Sequence, residues 1–441
     1  MDKELRNRIS DILKHEVMLA TGCTEPGAVA LSVAKAHEML GTEPERIVLY
    51  LSKNVFKNAM GVGIPGTGMI GLPIAVAMAV VHGKSCRGLE VLTMPDDEVA
   101  DAKRWLEQHE KDIDILVKEG CDKLYIECNM EGGGHKAEAV IAKRHTNFVL
   151  LRRDGEVLLD HSQGVVKESG GEDDCGCRQR LTARMVYDYA TTAPLEELEH
   201  MRDTVVYNTA ASDCGLTGMG LHTGEILMEQ AKGDTVHTVV ARTVAASDAR
   251  MDGCTKPVYS NSGSGNQGIA CTLPPYYYGK MKGCSDEQIL RALTMSHLMS
   301  IYIKQGIGRL SALCGIVNAT MGVSAALTYL EAHCLATRED KEVDTELTFS
   351  QVGYAMKNMI NTIAGMVCDG AKPSCALKMS TGLYSAFVSA ELACHNRVVD
   401  ATDGLSERDV DSSIGNLGRL GHDGMNETDD LVLDIMMHKN K

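Results

Sequence analysis

Three cysteines lie where thiolate chemistry is easiest to arrange. Cys23 precedes Thr24-Glu25-Pro26 in "LATGCTEPGAVALSVAKA", residues that suit the cap and first turn of a helix, with Thr24 as the cap. A thiol there faces the first free N–H groups of the helix, which stabilise a thiolate. Cys314 in "GRLSALCGIVNATMG" precedes a helix of small residues, and Cys368 in "TIAGMVCDGAKPSC" closes a helical run before a Gly/Pro loop. All three stand at helix-to-loop transitions far apart in the chain. Folding could gather them into one three-thiolate site, though spacing alone does not show it. Taken singly, each reads first as a small buried hydrophobe.

A second stretch suits anion binding. In "SNSGSGNQGIACTLP" (260–274), Ser262, Ser264, Asn266 and Gln267 alternate with Gly263, Gly265 and Gly268. The glycines let backbone N–H groups converge and the side chains add donors, which makes a cradle for a small carboxylate. The plainer reading is a polar turn before a helix. Other motifs carry less. "GVGIPG" (61–66) matches G-x-G-x-x-G, but Pro65 removes an N–H where pyrophosphate would sit, and no carboxylate clearly ends a following strand. "HGKS" (82–85) lacks the upstream glycine of a P-loop, and "CGC" (175–177) has no second thiol pair for zinc. Cys86 and Cys284 sit in polar or loop contexts without an evident role.

These residues need elements to position them. Leu5, Ile9, Ile12, Leu13 and Val17 recur at near-helical spacing, so the first 40 or so residues read as two helices joined at the Cys23 turn. "RIVLYLSKNVF" (46–56) begins as a strand, 69–81 reads as a buried helix, and 95–120 as a charged amphipathic helix. The β-rich runs of 123–160, separated by Gly, Asp and Asn, predict an antiparallel meander. "KESGGEDDCGC" (167–177) marks a boundary, beyond which the chain is nearly all helix. The expected fold class is α+β: a mainly helical catalytic domain with an inserted α/β domain. Residues 1–44 and 169–441 are expected to form the helical part, and 45–168 the α/β domain.

Composition narrows the partners. At 441 residues and 44% hydrophobic, the chain can bury a sizeable core, and 43 glycines and 24 methionines against 4% aromatic residues predict close helical packing. A net charge of −16 opposes nucleic acid and anionic lipid as partners. No apolar core of a signal peptide is present, and the apolar run 69–81 is broken by Gly71 and Pro73 and too short for a bilayer, so a cytoplasmic protein is expected. In that reducing compartment the fifteen cysteines predict no disulfide framework.

Taken together, "TGCTEPGAVALSVAKA", "KNVFKNAMGVGIPGTG", "AASDARMDG", "SNSGSGNQGI", "IKQGIGRLSALCG" and "GMVCDGAKPSCALK" resemble the L-cysteine desulfidase family, a serine-dehydratase-α-like family, over essentially the whole chain. A more distant resemblance links 260–390 to the iron–sulfur L-serine dehydratases. The resemblance implies an oxygen-sensitive [4Fe-4S] cluster held by Cys23, Cys314 and Cys368, with one iron left open. It also implies conversion of L-cysteine to pyruvate, ammonia and sulfide without pyridoxal phosphate. In the dehydratases a second cysteine follows the "CD" motif; its counterpart here is Cys375, expected as a bystander rather than a fourth ligand.

On this reading the 262–267 loop holds the substrate carboxylate. The base that takes the Cα proton stays open. Lys53 and Lys57, with Asn54 and Asn58 beside them as substrate contacts, are candidates if burial depresses a lysine pKa; His297 and Lys304 are others. Dehydration of L-serine and non-catalytic sensing of cysteine or iron are the alternative functions. The oligomeric state, a homodimer included, is open.

Overall fold

The computed structural model describes residues 1–161, 180–308 and 311–438. The expected boundary at 167–177, with its "CGC", lies outside these residues. The fold is α+β and is organised around two hydrophobic cores.

The first core lies against a six-stranded sheet in the order Ile113–Val117, Arg46–Leu51, Tyr125–Gly132, His135–Ala142, Phe148–Arg153, Glu156–Asp160. Only the first pair is parallel; the others are antiparallel, so the expected meander is present. Gly133 and Gly134, at φ 57° and 80°, make the two-residue turn between Gly132 and His135, a conformation that glycine adopts without steric penalty. Ile47, Leu49 and Leu51 alternate inward from one strand. They pack with Leu31 and Leu40 of helix Thr24–Leu40, Ile74 and Met78 of helix Leu72–Val81, and Ala102 and Leu106 of helix Asp96–His109. The helix expected over 95–120 thus stops at His109, and 113–117 is an edge strand.

The second core is helical. Helix Gly315–Glu339 runs through it, buried on nearly all sides from Ile316 to Leu330, and packs against helices Gly265–Lys282, Asp286–Ile307, Thr345–Ile363 and Cys375–Cys394. Close crossing explains the small residues: a Cβ on Gly322 would stand 2.3 Å from the Ser296 carbonyl oxygen.

The segment 1–44 is divided between the two cores. Ile9, Ile12, Leu13 and Val17 join the helical core, whereas Ala28 to Leu40 pack against the sheet. The division falls at Cys23. Strand Leu19–Ala20 pairs with Val258–Tyr259 just before it, which ties this crossing point to the 260–268 loop. Among the described residues one disulfide, Cys284–Cys334, joins Cα atoms 6.3 Å apart and gives the loop cysteine Cys284 a partner. Among the described residues no helix is long and apolar enough to cross a membrane.

Candidate active site

The site begins where helix Thr24–Leu40 begins. Its N-cap is Cys23, not Thr24, which occupies the first helical position. The Cys23 thiol is buried and donates to Glu25 Oε2 at 3.0 Å. Burial and the Glu25 charge push this thiol's pKa up, and Arg250 opposes them. Burial alone would raise the Glu25 carboxyl; the His145 charge and hydrogen bonds from Cys23 and Thr24 outweigh it and hold the carboxyl below its usual range. Asn58 Nδ2 donates to the other Glu25 oxygen at 3.1 Å.

Cys314 and Cys368 are brought together by the backbone. The Cys314 N–H donates to the Met366 carbonyl at 2.9 Å and the Cys368 N–H to the Ala312 carbonyl at 2.6 Å, around an isolated bridge between Leu313 and Val367. Cys314 is the N-cap of helix Gly315–Glu339, and its thiol is pushed up to about 12 by burial and by the neighbouring Cys368. Cys375 opens helix Cys375–Cys394 and lies within electrostatic reach of both thiols. It also packs, with Ala371, against the small apolar cluster of Cys23, Val62 and Met251. Cys375, expected as a bystander, thus stands between Cys23 and the Cys314–Cys368 pair. Lys378 adds positive charge: it donates to the Val367 carbonyl at 2.8 Å and pairs with Asp369. Burial works against its charge, yet Asp369 and the thiols keep its pKa above the usual lysine value.

The 260–268 loop meets the thiols through Arg250, near the end of helix Thr235–Met251. Arg250 Nη2 donates to the Gly22 carbonyl at 3.0 Å, and Nη1 to Asn266 Oδ1 at 3.3 Å. Its Nε lies against Gly265, where a Cβ would stand 2.2 Å away. The next loop residue, Gln267, reaches the Cys314 helix: its Oε1 accepts from Asn318 Nδ2 at 2.7 Å, and its Nε2 lies where a Cβ on Gly315 would meet it at 2.4 Å. Contacts therefore run unbroken from Cys23 through Gly22, Arg250, Asn266 and Gln267 to Gly315 and Cys314. Ser264 caps helix Gly265–Lys282, accepting from the Gln267 N–H. The Ser262 hydroxyl donates to Asn261 Oδ1, and the Gly263 carbonyl accepts from Thr24 Oγ1. Gly265, Asn266 and Gln267 are buried and Gly263 is exposed, so the inner half of the loop faces the site.

The expected bases are engaged elsewhere. Lys53 bridges Asp430 at 2.9 Å and Glu119 at 3.0 Å, and those hydrogen bonds, Asp430 first, raise its pKa; a base needs the reverse. Lys57 is buried and its ammonium pairs with Asp429 of helix Asn426–Met437. Its carbonyl nevertheless borders the cysteine loop, because a Cβ on Gly370 would meet it at 2.2 Å. His297 is fully buried. Thr272 Oγ1 donates to the Gly268 carbonyl and so accepts from His297 Nε2 at 3.0 Å; Nδ1 accepts from Asn261 Nδ2 at 3.1 Å. Burial pushes its pKa down to about 3, so the ring is neutral with both nitrogens occupied. His297 supports the loop from behind. Lys304 is buried on the same helix, and Asn54 is buried beside Lys53.

The Lys57–Asp429 pair carries a stability prediction. Asp429→Ala leaves a buried ammonium unpaired and should destabilise the fold by about 3–5 kcal/mol. Lys57→Met with Asp429→Leu should recover most of that loss. Urea unfolding of the two variants checks it; equal midpoints for Asp429→Ala and the unaltered protein would contradict it.

Arg250, Asn318, Glu25 and Lys378 are the residues that sequence reasoning left without a role here. For Arg250 the available signal was one arginine near the end of a small-residue run, in "VAASDARMDG".

Among the described residues no group of three or more His, Cys, Asp or Glu is arranged to hold a metal ion. The neighbouring thiols of Cys23, Cys314, Cys368 and Cys375 come from three separate segments of the chain. The ligating thiolates of an iron–sulfur cluster bind different irons rather than converging on one ion. Lys378 and Arg250 supply positive charge beside the thiols.

The model of the serine dehydratase alpha chain family matches residues 87–434. A UPF0597 protein of Bacteroides fragilis is 48% identical over 447 residues, covering 100% of both chains. One from Parabacteroides distasonis is 46% identical over 448 residues, again covering 100% of both. A more distant one, from Aeromonas hydrophila, is 41% identical over 438 residues, covering 98% of this chain and 96% of its own. With the family model spanning most of the chain and the relatives aligned end to end, the chain belongs to the serine dehydratase alpha chain family.

Proposed function

We propose that this lyase-family chain is an iron–sulfur L-cysteine desulfidase: β-elimination releases sulfide and leaves aminoacrylate, which water hydrolyses after release to pyruvate and ammonia. The observation that carries the reading is the junction of Cys23, Cys314, Cys368 and Cys375 with a buried polar loop through Arg250. Cys23, Cys314 and Cys368 would hold a [4Fe-4S] cluster, with Cys375 a neighbour of these thiols. When bound, the cluster supplies Lewis acidity toward the β-substituent.

The chain's own residues do the rest. Asn266 and the free N–H groups at the start of helix Gly265–Lys282 hold the carboxylate and fix the Cα–H bond. Asn261, locked by His297, keeps the loop in place, and Asn58 holds Glu25 beside Cys23. Asn266→Ala should raise KM for L-cysteine by about 10- to 150-fold, the effect of one buried hydrogen bond to a charged group. Iron content should be unchanged. A lowered melting temperature with an unaltered KM would mean that the loop only caps a helix.

The family description favours dehydration of L-serine as a second reading. Anaerobic assays of both amino acids on one iron-replete sample separate the two. Sulfide and pyruvate from L-cysteine at the higher kcat/KM support desulfidation; pyruvate from L-serine alone makes the chain a dehydratase. Tight cysteine binding with no pyruvate would make it a sensor.

A further inference from the structure

Two polar atoms beside the loop are buried and have no partner: Arg250 Nε, a donor, and Asn318 Oδ1, an acceptor. Arg250 is 7% exposed and Asn318 1%. The other polar atoms of both side chains are engaged. Arg250 Nη1 and Nη2 donate to Asn266 and Gly22; Asn318 Nδ2 donates to Gln267 Oε1 and to the Ser300 hydroxyl at 2.9 Å. No carboxylate pairs with Arg250 among the described residues. A buried cation without an anion, or a buried carbonyl without a donor, is costly. Both atoms adjoin the same helix start, Arg250 at Gly265–Asn266 and Asn318 at Gln267. The missing Cβ atoms of Gly265 and Gly315 let the Arg250 and Gln267 side chains lie directly against the two helix starts, since a Cβ at either glycine would run into them.

The geometry points to a clamp for the two charged ends of an α-amino acid: Arg250 Nε–H donates to the carboxylate, and Asn318 Oδ1 accepts from the ammonium. This rests on the lyase reading above and adds the residues that would select a zwitterion over a simple thiol or acid. Arg250 is fixed at both outer nitrogens, so its inner N–H is preorganised for an anion at the helix start. The amide of Asn318 is held by Gln267 and Ser300 with its oxygen free, which leaves one acceptor for one ammonium.

Two thiols that each carry one end of cysteine test the clamp: 3-mercaptopropionate has the carboxylate, and cysteamine has the ammonium. Their Kd values are measured by anaerobic calorimetry on iron-replete protein, with iron content and melting temperature recorded alongside. Arg250→Gln should weaken 3-mercaptopropionate by about 10- to 150-fold and leave cysteamine within about twofold. Asn318→Leu should do the opposite. Gly265→Ala, which displaces the guanidinium without removing it, should repeat the Arg250→Gln pattern and covers the case in which that variant fails to fold. Equal losses for both probes, no loss for either, or unchanged 3-mercaptopropionate binding in Gly265→Ala would overturn the clamp while leaving desulfidation standing. Failure of the unaltered protein to bind either probe or to turn over any amino acid would overturn both.

Discussion

Cys314→Ser is expected to abolish lyase activity and iron binding together, and Cys23→Ser and Cys368→Ser should do the same. A serine hydroxyl stays protonated at neutral pH and does not replace a thiolate on iron. Loss of even an outer-shell partner costs a metal site about 10- to 100-fold, so loss of a ligand should exceed 100-fold. The geometry makes Cys314 the sharpest case. It caps helix Gly315–Glu339, is hydrogen-bonded through its backbone to Met366 in the segment leading to Cys368, and caps the helix that carries Asn318. The fold should tolerate the change, because those contacts are made by backbone rather than by sulfur. Exposed Cys86 is the control, and Cys86→Ser should keep full iron and full activity. Cys375→Ser decides between a three- and a four-thiol set: iron loss as deep as in Cys314→Ser would make it a ligand. Iron analysis and pyruvate assays on anaerobic samples read all five, and normal iron in Cys23→Ser, Cys314→Ser and Cys368→Ser would remove the cluster from these residues.

The second large effect is expected at Gly265. Its backbone is helical, so no unusual φ excludes a side chain. The obstruction is Arg250, whose Nε, Cζ and Cδ would stand 2.2, 2.7 and 2.9 Å from an added Cβ. The guanidinium cannot swing away cheaply, being buried and anchored to Gly22 and Asn266. Gly265→Ala should therefore raise KM for L-cysteine at least as far as Asn266→Ala, and Gly265→Val further. Thermal stability should fall as well, because overpacking a core typically costs about 1–3 kcal/mol. The paired readout is KM against iron content: a raised KM with normal iron places the damage on substrate binding. Unchanged KM in Gly265→Val would show that Arg250 and the loop do not meet the substrate.

What was legible in the sequence was local. The meander followed from β-rich runs separated by Gly, Asp and Asn, and at Gly133-Gly134 the turn has the positive φ angles that glycine adopts freely. The helix start at Cys23 followed from its first turn, although the cap moved by one residue. Where the pattern was ambiguous, tertiary structure decided. Helix Thr24–Leu40 is apolar and small on most faces, so nothing in its sequence says which core it joins. The run "EKDIDILVKEG" continues the charge pattern of the preceding helix, which hid the strand Ile113–Val117. Long-range pairing was not legible at all. Lys53 and Lys57 are tied up by Asp430 and Asp429, more than 370 positions away, and Cys284 by Cys334 across 50. Arg250 carries no mark in the sequence of being buried with no carboxylate paired to it among the described residues, because its burial depends on Gly22, Gly265 and Asn266 meeting it.

On the proposed reading, thiols from distant segments form one iron-dependent lyase centre. That reading is tested most directly by following iron, acid-labile sulfide and pyruvate formation on a single anaerobically reconstituted sample before and after exposure to air. The account predicts a brown protein that converts L-cysteine to pyruvate and loses colour, iron and activity in parallel. Full pyruvate production by metal-free protein would contradict it.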